Sequence, residues 1–225
     1  MSVGTALITG GQGDLAQALK KELELCGMSV LSPGHAELDV SSSMSVRNFF
    51  NSCRDRQLVL LINNAGAIDD SSLRRLSSKR WDSVLAANLD GVWRCSQAFI
   101  QGFTKRAFSA GHVINIASYS AFSGPVGQSN YSAAKAGVIG LTQSLAAEWG
   151  TQNVRVNAIL PGFLKTQLTS QMEPEVIDRI LSCHVLNRFN TTESVARFVS
   201  TLHNDLVNVS GQVFQLDSRL RRQGW

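Results

Sequence analysis

"LITGGQGDLAQAL", residues 7–19, runs from an apolar stretch through three glycines in four positions and out into an amphipathic segment. Glycines let the backbone turn sharply, and the start of a helix offers free N–H groups and the positive end of its dipole. A strand before and a helix after make this the pattern of a loop that cradles a pyrophosphate. No Gly-Lys-Ser/Thr follows, which argues against a nucleoside-triphosphatase P-loop.

The same alternation continues outward. "GTALIT" reads as a buried strand, "DLAQALKKELELCG" as a helix closed by Gly27, "MSVLS" as a second strand and "AELDV" as a short third one. Ser41 to Ser43 offer N-caps to "MSVRNFFNSCRD". Then come a strand "LVLLINNAG", a long helix from about residue 78 to 107, a strand "HVINIAS" and a helix over about 130–150. A strand "VRVNAILPG", a Thr-capped helix "TTESVARFVSTLH" and a last strand "GQVFQLD" complete the chain. Continuously apolar strands alternating with helices imply a parallel sheet covered on both faces. The expected fold class is α/β: a single doubly wound Rossmann-type domain over residues 1–225, with a mainly parallel sheet. Only "PGHA" or so precedes "ELDV", so the crossover helix between strands two and three is expected to be missing.

At 225 residues the chain is long enough for one large core. No run approaches the length of a membrane span, and "MSVGTALITGG" lacks the basic start of a signal peptide. A cytoplasmic protein without membrane contact is expected. Cys26, Cys53, Cys95 and Cys183 form no CxxC pair, and the four histidines are scattered. Reduced core thiols and no metal site are the expectation. The net charge of +4 is spread in pairs such as Arg74-Arg75, with only the tail "RLRRQGW" clustered. That distribution argues against nucleic acid.

Open parallel sheets bind ligands at the carboxyl ends of their strands. Gly10, Asn64, Ser118 and Pro161-Gly162 all fall there. In "YSAAK", Tyr131 and Lys135 are i and i+4 on a helix, hence on one face. A phenol titrates near 10, and an ammonium within reach favours the phenolate, lowering that value. Ser118, at the end of the preceding strand, is placed to hydrogen-bond the substrate oxygen that Tyr131 protonates.

The ordered set "TGGQGDLA", "LDV", "NNAG", "NLDGVW", Ser118, "YSAAK", "NAILPG" and "SGQVFQLD" resembles the short-chain dehydrogenase/reductase family from Thr5 to Asp217. Within it, "GQSNYSAAKAGVIGLTQSLAAEW", "VRVNAILPGFLKTQL" and the short substrate-loop region with "LNRF" look most like the 3-oxoacyl-acyl-carrier-protein reductases. The resemblance implies that Tyr131 is the general acid/base and that Lys135 binds the nicotinamide ribose and lowers the tyrosine pKa. Ser118 then orients the carbonyl, and Asn88 serves a proton relay. Gly10, Gly11, Gln12, Gly13, Asp14 and Leu15 would line the pyrophosphate. Asp39 and Val40 would meet the adenine, Asn64, Ala65 and Gly66 the adenosine ribose side, and Pro161, Gly162, Leu164 and Thr166 the nicotinamide amide. The implied reaction is reduction of a ketone, favoured as a 3-oxoacyl thioester, free or carrier-linked. Another small ketone or secondary alcohol, and a non-enzymatic dinucleotide sensor, stand as alternatives. Relatives form two-fold tetramers through helices corresponding to 78–107 and 130–150. A homotetramer, or failing that a homodimer, is therefore expected, with Ala133, Ala134 and Ala136 permitting close approach.

Four features depart from the family pattern. Asp14 and Ala16 replace the last two glycines of the usual loop, and the crossover is short. Asp217-Ser218-Arg219 stands where relatives have Asp-Gly-Gly. Thr151-Gln152-Asn153 is uncharged where a carrier-docking base is usual, leaving Lys105 and Arg106 to supply one. At the end of strand two Ser32, rather than an acid, faces the adenosine ribose, with His35 nearby. NADPH is the expected cofactor, with NADH also accepted and little selectivity between them. Glu37 is expected to point elsewhere.

Overall fold

Strands that are apolar at every position need cover on both faces, and each helix supplies one apolar stripe. The computed structural model, which describes residues 4–104, 110–170 and 172–220, meets that demand with one parallel sheet. Its strands are β1 (Thr5–Ile8), β2 (Ser29–Leu31), β3 (Leu58–Asn63), β4 (Gly111–Ile116), β5 (Val154–Leu160) and β6 (Val213–Gln215), in the order β2-β1-β3-β4-β5-β6. The helices are α1 (Asp14–Leu25), α2 (Ser43–Ser52), α3 (Ser78–Leu85), α4 (Gly91–Thr104), α5 (Ser120–Ser123), α6 (Ser129–Trp149), α7 (Pro174–Ser182) and α8 (Thr192–Asn204). This is the single Rossmann-type domain expected from the alternation.

Period-two geometry sorts each strand between two cores. Ala6, Ile8, Leu60, Ile62 and Ile114 pack with Leu19 and Leu23 of α1 and with Val195, Val199 and Leu202 of α8. Leu7, Leu61, Val113 and Val156 pack on the other side with Val46 of α2 and Cys95, Phe99 and Phe103 of α4. Helix ends follow local chemistry. Gly27 at φ +83° ends the turn after α1, where Met28 N–H reaches Leu23 O at 3.0 Å. Ser42 Oγ accepts from Ser45 N–H at 3.2 Å, and Thr191 Oγ1 from Ser194 N–H at 3.1 Å.

Three expectations need correction. "AELDV" is not a strand. Glu37 and Leu38 donate to Gly34 O at 3.1 and 3.0 Å, forming a turn, while Leu38 and Val40 are buried against the α2–α4 side. Only residues 32–36 separate the end of β2 from Glu37, and a parallel neighbour needs a crossover of about a dozen residues. The strand is therefore lost with the helix, and the three-residue β2 becomes the edge. Second, the helix expected over 78–107 is broken by a π-helical turn at Ala86–Asp90, and residues 105–107 lie outside the described ones. Third, Cys53 and Cys95 are core thiols, but Cys26 and Cys183 are exposed.

Candidate active site

The crevice at the carboxyl edge is opened by β1 and β3. Gly10 has φ +69°, and a Cβ there would lie 2.8 Å from Ala65 Cα, so only glycine lets the two turns approach. Thr9 fastens them: its Oγ1 accepts from Asn64 N–H at 3.0 Å and Ala65 N–H at 2.9 Å, and Asn64 Nδ2 returns a bond to Thr9 O at 3.0 Å. Gly13 caps α1 with Gln12 and Gly13 exposed, leaving the helix N-terminus open to an anion. Leu15 instead packs into the core. Asp14 turns its carboxylate to the Gln167 N–H at 2.7 Å, joining α1 to the segment after β5.

Four further side chains meet above β3 and β4. Tyr131 and Lys135 start α6, Ser118 follows β4, and Asn88 sits in the π-turn. Such a widened turn often marks a functional position. Here it lets Asn88 Nδ2 donate both to Ala67 O at 2.7 Å and to Val84 O at 2.9 Å. Its Oδ1 is buried without a partner among the described residues, and a Cβ on Gly66 would come within 2.7 Å of it and 3.8 Å of Lys135 Nζ. Gly66, Asn88 and Lys135 thus share one small polar space. Lys135 is 4% exposed, donates to Ile116 O at 2.8 Å, and lies 5.6 Å from the Tyr131 ring centroid. Burial pushes its pKa down to about 8.

The Ser118 hydroxyl lies near enough to the Tyr131 phenol to act on its titration. Burial holds its pKa above the ordinary phenol value, only partly offset by the Ser118 hydroxyl, and the Asp70 charge adds to the rise. The expected lowering by Lys135 is therefore not a property of the chain by itself, because the ammonium is directed at the Ile116 carbonyl. Both burial effects favour neutral forms.

After β5, Gly162 adopts φ +88° and leaves Pro161 and Gly162 half-buried at the crevice with Leu164 beneath. Thr166 N–H is held by Thr169 Oγ1 at 3.0 Å. At the adenosine end, Gly11 donates to Pro33 O at 2.8 Å, and a Cβ on Gly11 would overlap the Ser32 carbonyl. Ser32 Oγ is buried under that contact with no partner among the described residues, so it is closed to a ligand. His35 is exposed, 3.9 Å from Asp39. The Asp39 carboxylate accepts from Ser41 Oγ at 2.7 Å, which holds its pKa below the usual range. Glu37 closes the turn: its Oε2 accepts from Gly34 N–H at 3.0 Å.

Sequence reasoning passed over several supports. Asn130, wholly buried, donates to Asp69 O at 3.1 Å and accepts from Tyr131 N–H at 2.8 Å, anchoring the start of α6. Asn63, Asn115 and Thr142 form a buried chain across β3, β4 and α6, with bonds of 2.8 and 2.9 Å. An asparagine inside each of the apolar strands "LVLLIN" and "HVINI" was the available signal, since a buried amide must find partners. Lys105 and Arg106 lie outside the described residues.

The family described as enoyl-(acyl carrier protein) reductase matches residues 4–218. The 3-oxoacyl-[acyl-carrier-protein] reductase FabG of Aquifex aeolicus is 33% identical over 216 residues, covering 95% of this chain and 86% of that protein. The Pseudomonas aeruginosa protein of the same name is 34% identical over 206 residues, 90% of this chain and 79% of its own. A (3R)-3-hydroxyacyl-CoA dehydrogenase of Canis lupus familiaris is 36% identical over 186 residues, 80% and 71% respectively.

Proposed function

Given that the chain belongs to the short-chain dehydrogenase/reductase family, and is an NAD(P)-dependent oxidoreductase of ketones, we propose that it reduces a 3-oxoacyl thioester to the 3-hydroxyacyl thioester. The observation that carries the reading is the gathering of Ser118, Tyr131, Lys135 and Asn88 at one end of the sheet. Binding alone would not call for all four. The names of the relatives support the substrate, since each denotes oxygen at carbon three of an acyl thioester.

When bound, a nicotinamide dinucleotide would supply the hydride for the ketone carbon. Ser118 donates a hydrogen bond to the ketone oxygen and holds it against Tyr131. Tyr131 gives its phenolic proton to that oxygen, completing the alcohol. Its raised pKa suits it to arrive protonated, and the Lys135 ammonium stands 5.6 Å from the ring of the phenolate left behind. Lys135 and the Asn88 carbonyl oxygen lie on the path by which the proton returns. Gly10 to Leu15, with Asp39, Val40 and Asn64 to Gly66, would hold the adenosine and pyrophosphate, Leu15 by packing α1. Pro161, Gly162, Leu164 and Thr166 would hold the nicotinamide.

NADPH is the favoured donor and NADH is also accepted. Ser32 brings no carboxylate against a 2′-phosphate, but its hydroxyl is covered. Discrimination then rests on His35 and on Glu37, whose charge is engaged by Gly34. The 225 residues act as one cofactor-binding and catalytic domain, in a homotetramer or homodimer. No helix among the described residues is long and apolar enough to cross a membrane.

A screen of 3-oxoacyl thioesters, free and carrier-linked, beside simple ketones and secondary alcohols tests the substrate. Turnover should be highest on the thioesters. Tyr131→Phe should lose roughly a hundred- to ten-thousand-fold in kcat while still binding cofactor. Turnover of other ketones alone would remove the thioester assignment, and a Phe variant within a few-fold of the parent would remove the tyrosine.

A further inference from the structure

The short tail after β6 contains an ion pair that the reaction described above does not use. The Asp217 side chain is wholly buried, and its Oδ2 accepts from Arg219 Nε at 2.7 Å and from Arg219 Nη2 at 2.5 Å. Its Oδ1 accepts from Arg219 N–H at 3.1 Å and from Gln215 Nε2 at 2.8 Å. Such a pair, 0% and 14% exposed, is weak evidence for stability, because apolar replacements of similar volume often do as well. What it does supply is fixed geometry, and three segments of the site meet on it.

The first is the turn after β5: a Cβ on Gly162 would lie 2.8 Å from Asp217 Cβ, so the carboxylate packs directly behind the Pro161-Gly162 backbone. The second is the segment that carries Ser118. The Arg219 guanidinium lies 4.0 Å from the ring centroid of Tyr119, the next residue, and Tyr119 Oη donates to Leu220 O at 3.2 Å. The third is the stretch after α7. His184 bridges to Arg219 through the backbone, Val185 N–H donates to Ser218 O and Leu186 N–H to Ser218 Oγ, both at 3.2 Å. His184 Nδ1 faces the Ile180 carbonyl at 2.8 Å and so carries hydrogen, which leaves Nε2 facing Asp217 Oδ2 at 3.6 Å. A lysine at 219 could keep the charge, but not the planar face against Tyr119 together with two N–H groups on the carboxylate.

We propose that Asp217 and Arg219 are positioning residues that hold the Ser118–Tyr119 segment in register with the Gly162 turn, and so set where the ketone oxygen sits. This rests on the assignment of Ser118 and Tyr131 to that oxygen. Ser218 and Arg219 thereby do within one chain what two small residues could not, since glycines offer neither charge nor a face to stack.

The experiment uses Arg219→Ala, Arg219→Lys and Tyr119→Leu, with kcat and KM for the ketone, cofactor affinity, Tm, and amide exchange in residues 121–124. Those four amides are bonded back to residues 118–120 and report directly on the segment. Arg219→Ala should lower kcat about tenfold or more, leave cofactor affinity within about twofold, and speed exchange of amides 121–124 while α6 stays protected. Arg219→Lys should recover Tm but not kcat. Arg219→Ala and Tyr119→Leu should combine non-additively in kcat/KM. Recovery of kcat together with Tm in the lysine variant, or unchanged exchange at 121–124 in the alanine variant, overturns the proposal. Absence of ketone turnover in the unaltered protein would instead overturn the substrate reading, and the exchange result would still decide the positioning one.

Discussion

Lys135→Met should make the protein more stable while it destroys the activity. Burial lowers the lysine pKa from 10.5 to about 8, which costs the charged form about 3.5 kcal/mol. The 2.8 Å bond to Ile116 O returns part of this, about 1.5–2 kcal/mol for a hydrogen bond to a charged group. Methionine fills similar volume without charge, so the variant should gain about 1–2 kcal/mol at pH 7, a few degrees in Tm for a chain of this size. The sign can be checked with pH. Between about 8 and 10.5 the unfolded lysine is protonated and the folded one is not, so parent stability rises with pH there. Above 10.5 that contribution is complete, and as pH falls through 8 it is lost. The stability gap between Met variant and parent should therefore shrink from pH 8 to 10.5. Urea unfolding of both proteins at pH 7, 9 and 10.5 measures it, beside kcat/KM, which should fall at least about a hundredfold if Lys135 serves Tyr131. A Met variant less stable than the parent at pH 7, with a gap that ignores pH, would refute the reasoning.

Other outcomes follow from the same geometry. Glu37→Gln should raise kcat/KM with NADPH relative to NADH, and steady-state rates with both cofactors read it; a preference for NADH of tenfold or more in the parent would overturn the choice of NADPH. His203, stacked 5.5 Å from buried His112, has its pKa lowered to about 4 by burial and by Arg155. Its contribution to stability is complete above 6.5 and lost as pH falls through 4, about 2 kcal/mol of it between pH 7 and 5. His203→Gln should flatten that slope in urea titrations, and an unchanged slope would remove the histidine from the account. Light scattering at micromolar concentration should show a tetramer or dimer, and a monomer would contradict both.

Most of the fold was legible because it is written in local patterns. Residues 5–27 contain the strand, the glycine turn, the apolar stripe of α1 and the glycine that stops it, each readable without knowing what lies opposite. Tyr131 and Lys135 were legible for the same reason, as neighbours by helical spacing. What escaped was set by partners distant in sequence. Asp14 looks like a carboxylate misplaced beside a phosphate until Gln167, 153 positions later, takes it. Ser218 and Arg219 look like a lost pair of glycines until Asp217 and Tyr119 take the Arg219 guanidinium between them. The direction of the Tyr131 pKa also depended on depth and on where the Lys135 ammonium points, neither of which has a sequence signal.

The strand wrongly expected at "AELDV" is different, since the arithmetic against it was available. Five residues, 32–36, cannot carry a chain from the carboxyl end of one strand back to the amino end of a parallel neighbour. Loss of the crossover helix therefore entails loss of the strand, and the two departures are one. The consequence reaches the site. Residues 32–37, freed from the sheet edge, fold as a turn against the glycine loop, where Gly11 bonds to Pro33 and Glu37 bonds to Gly34. Backbone then makes the wall that a crossover helix and its side chains would have made. A wall of backbone offers few charges with which to tell one adenosine ribose from another, which is why the expected selectivity between the two cofactors is small and rests on two side chains, His35 and Glu37.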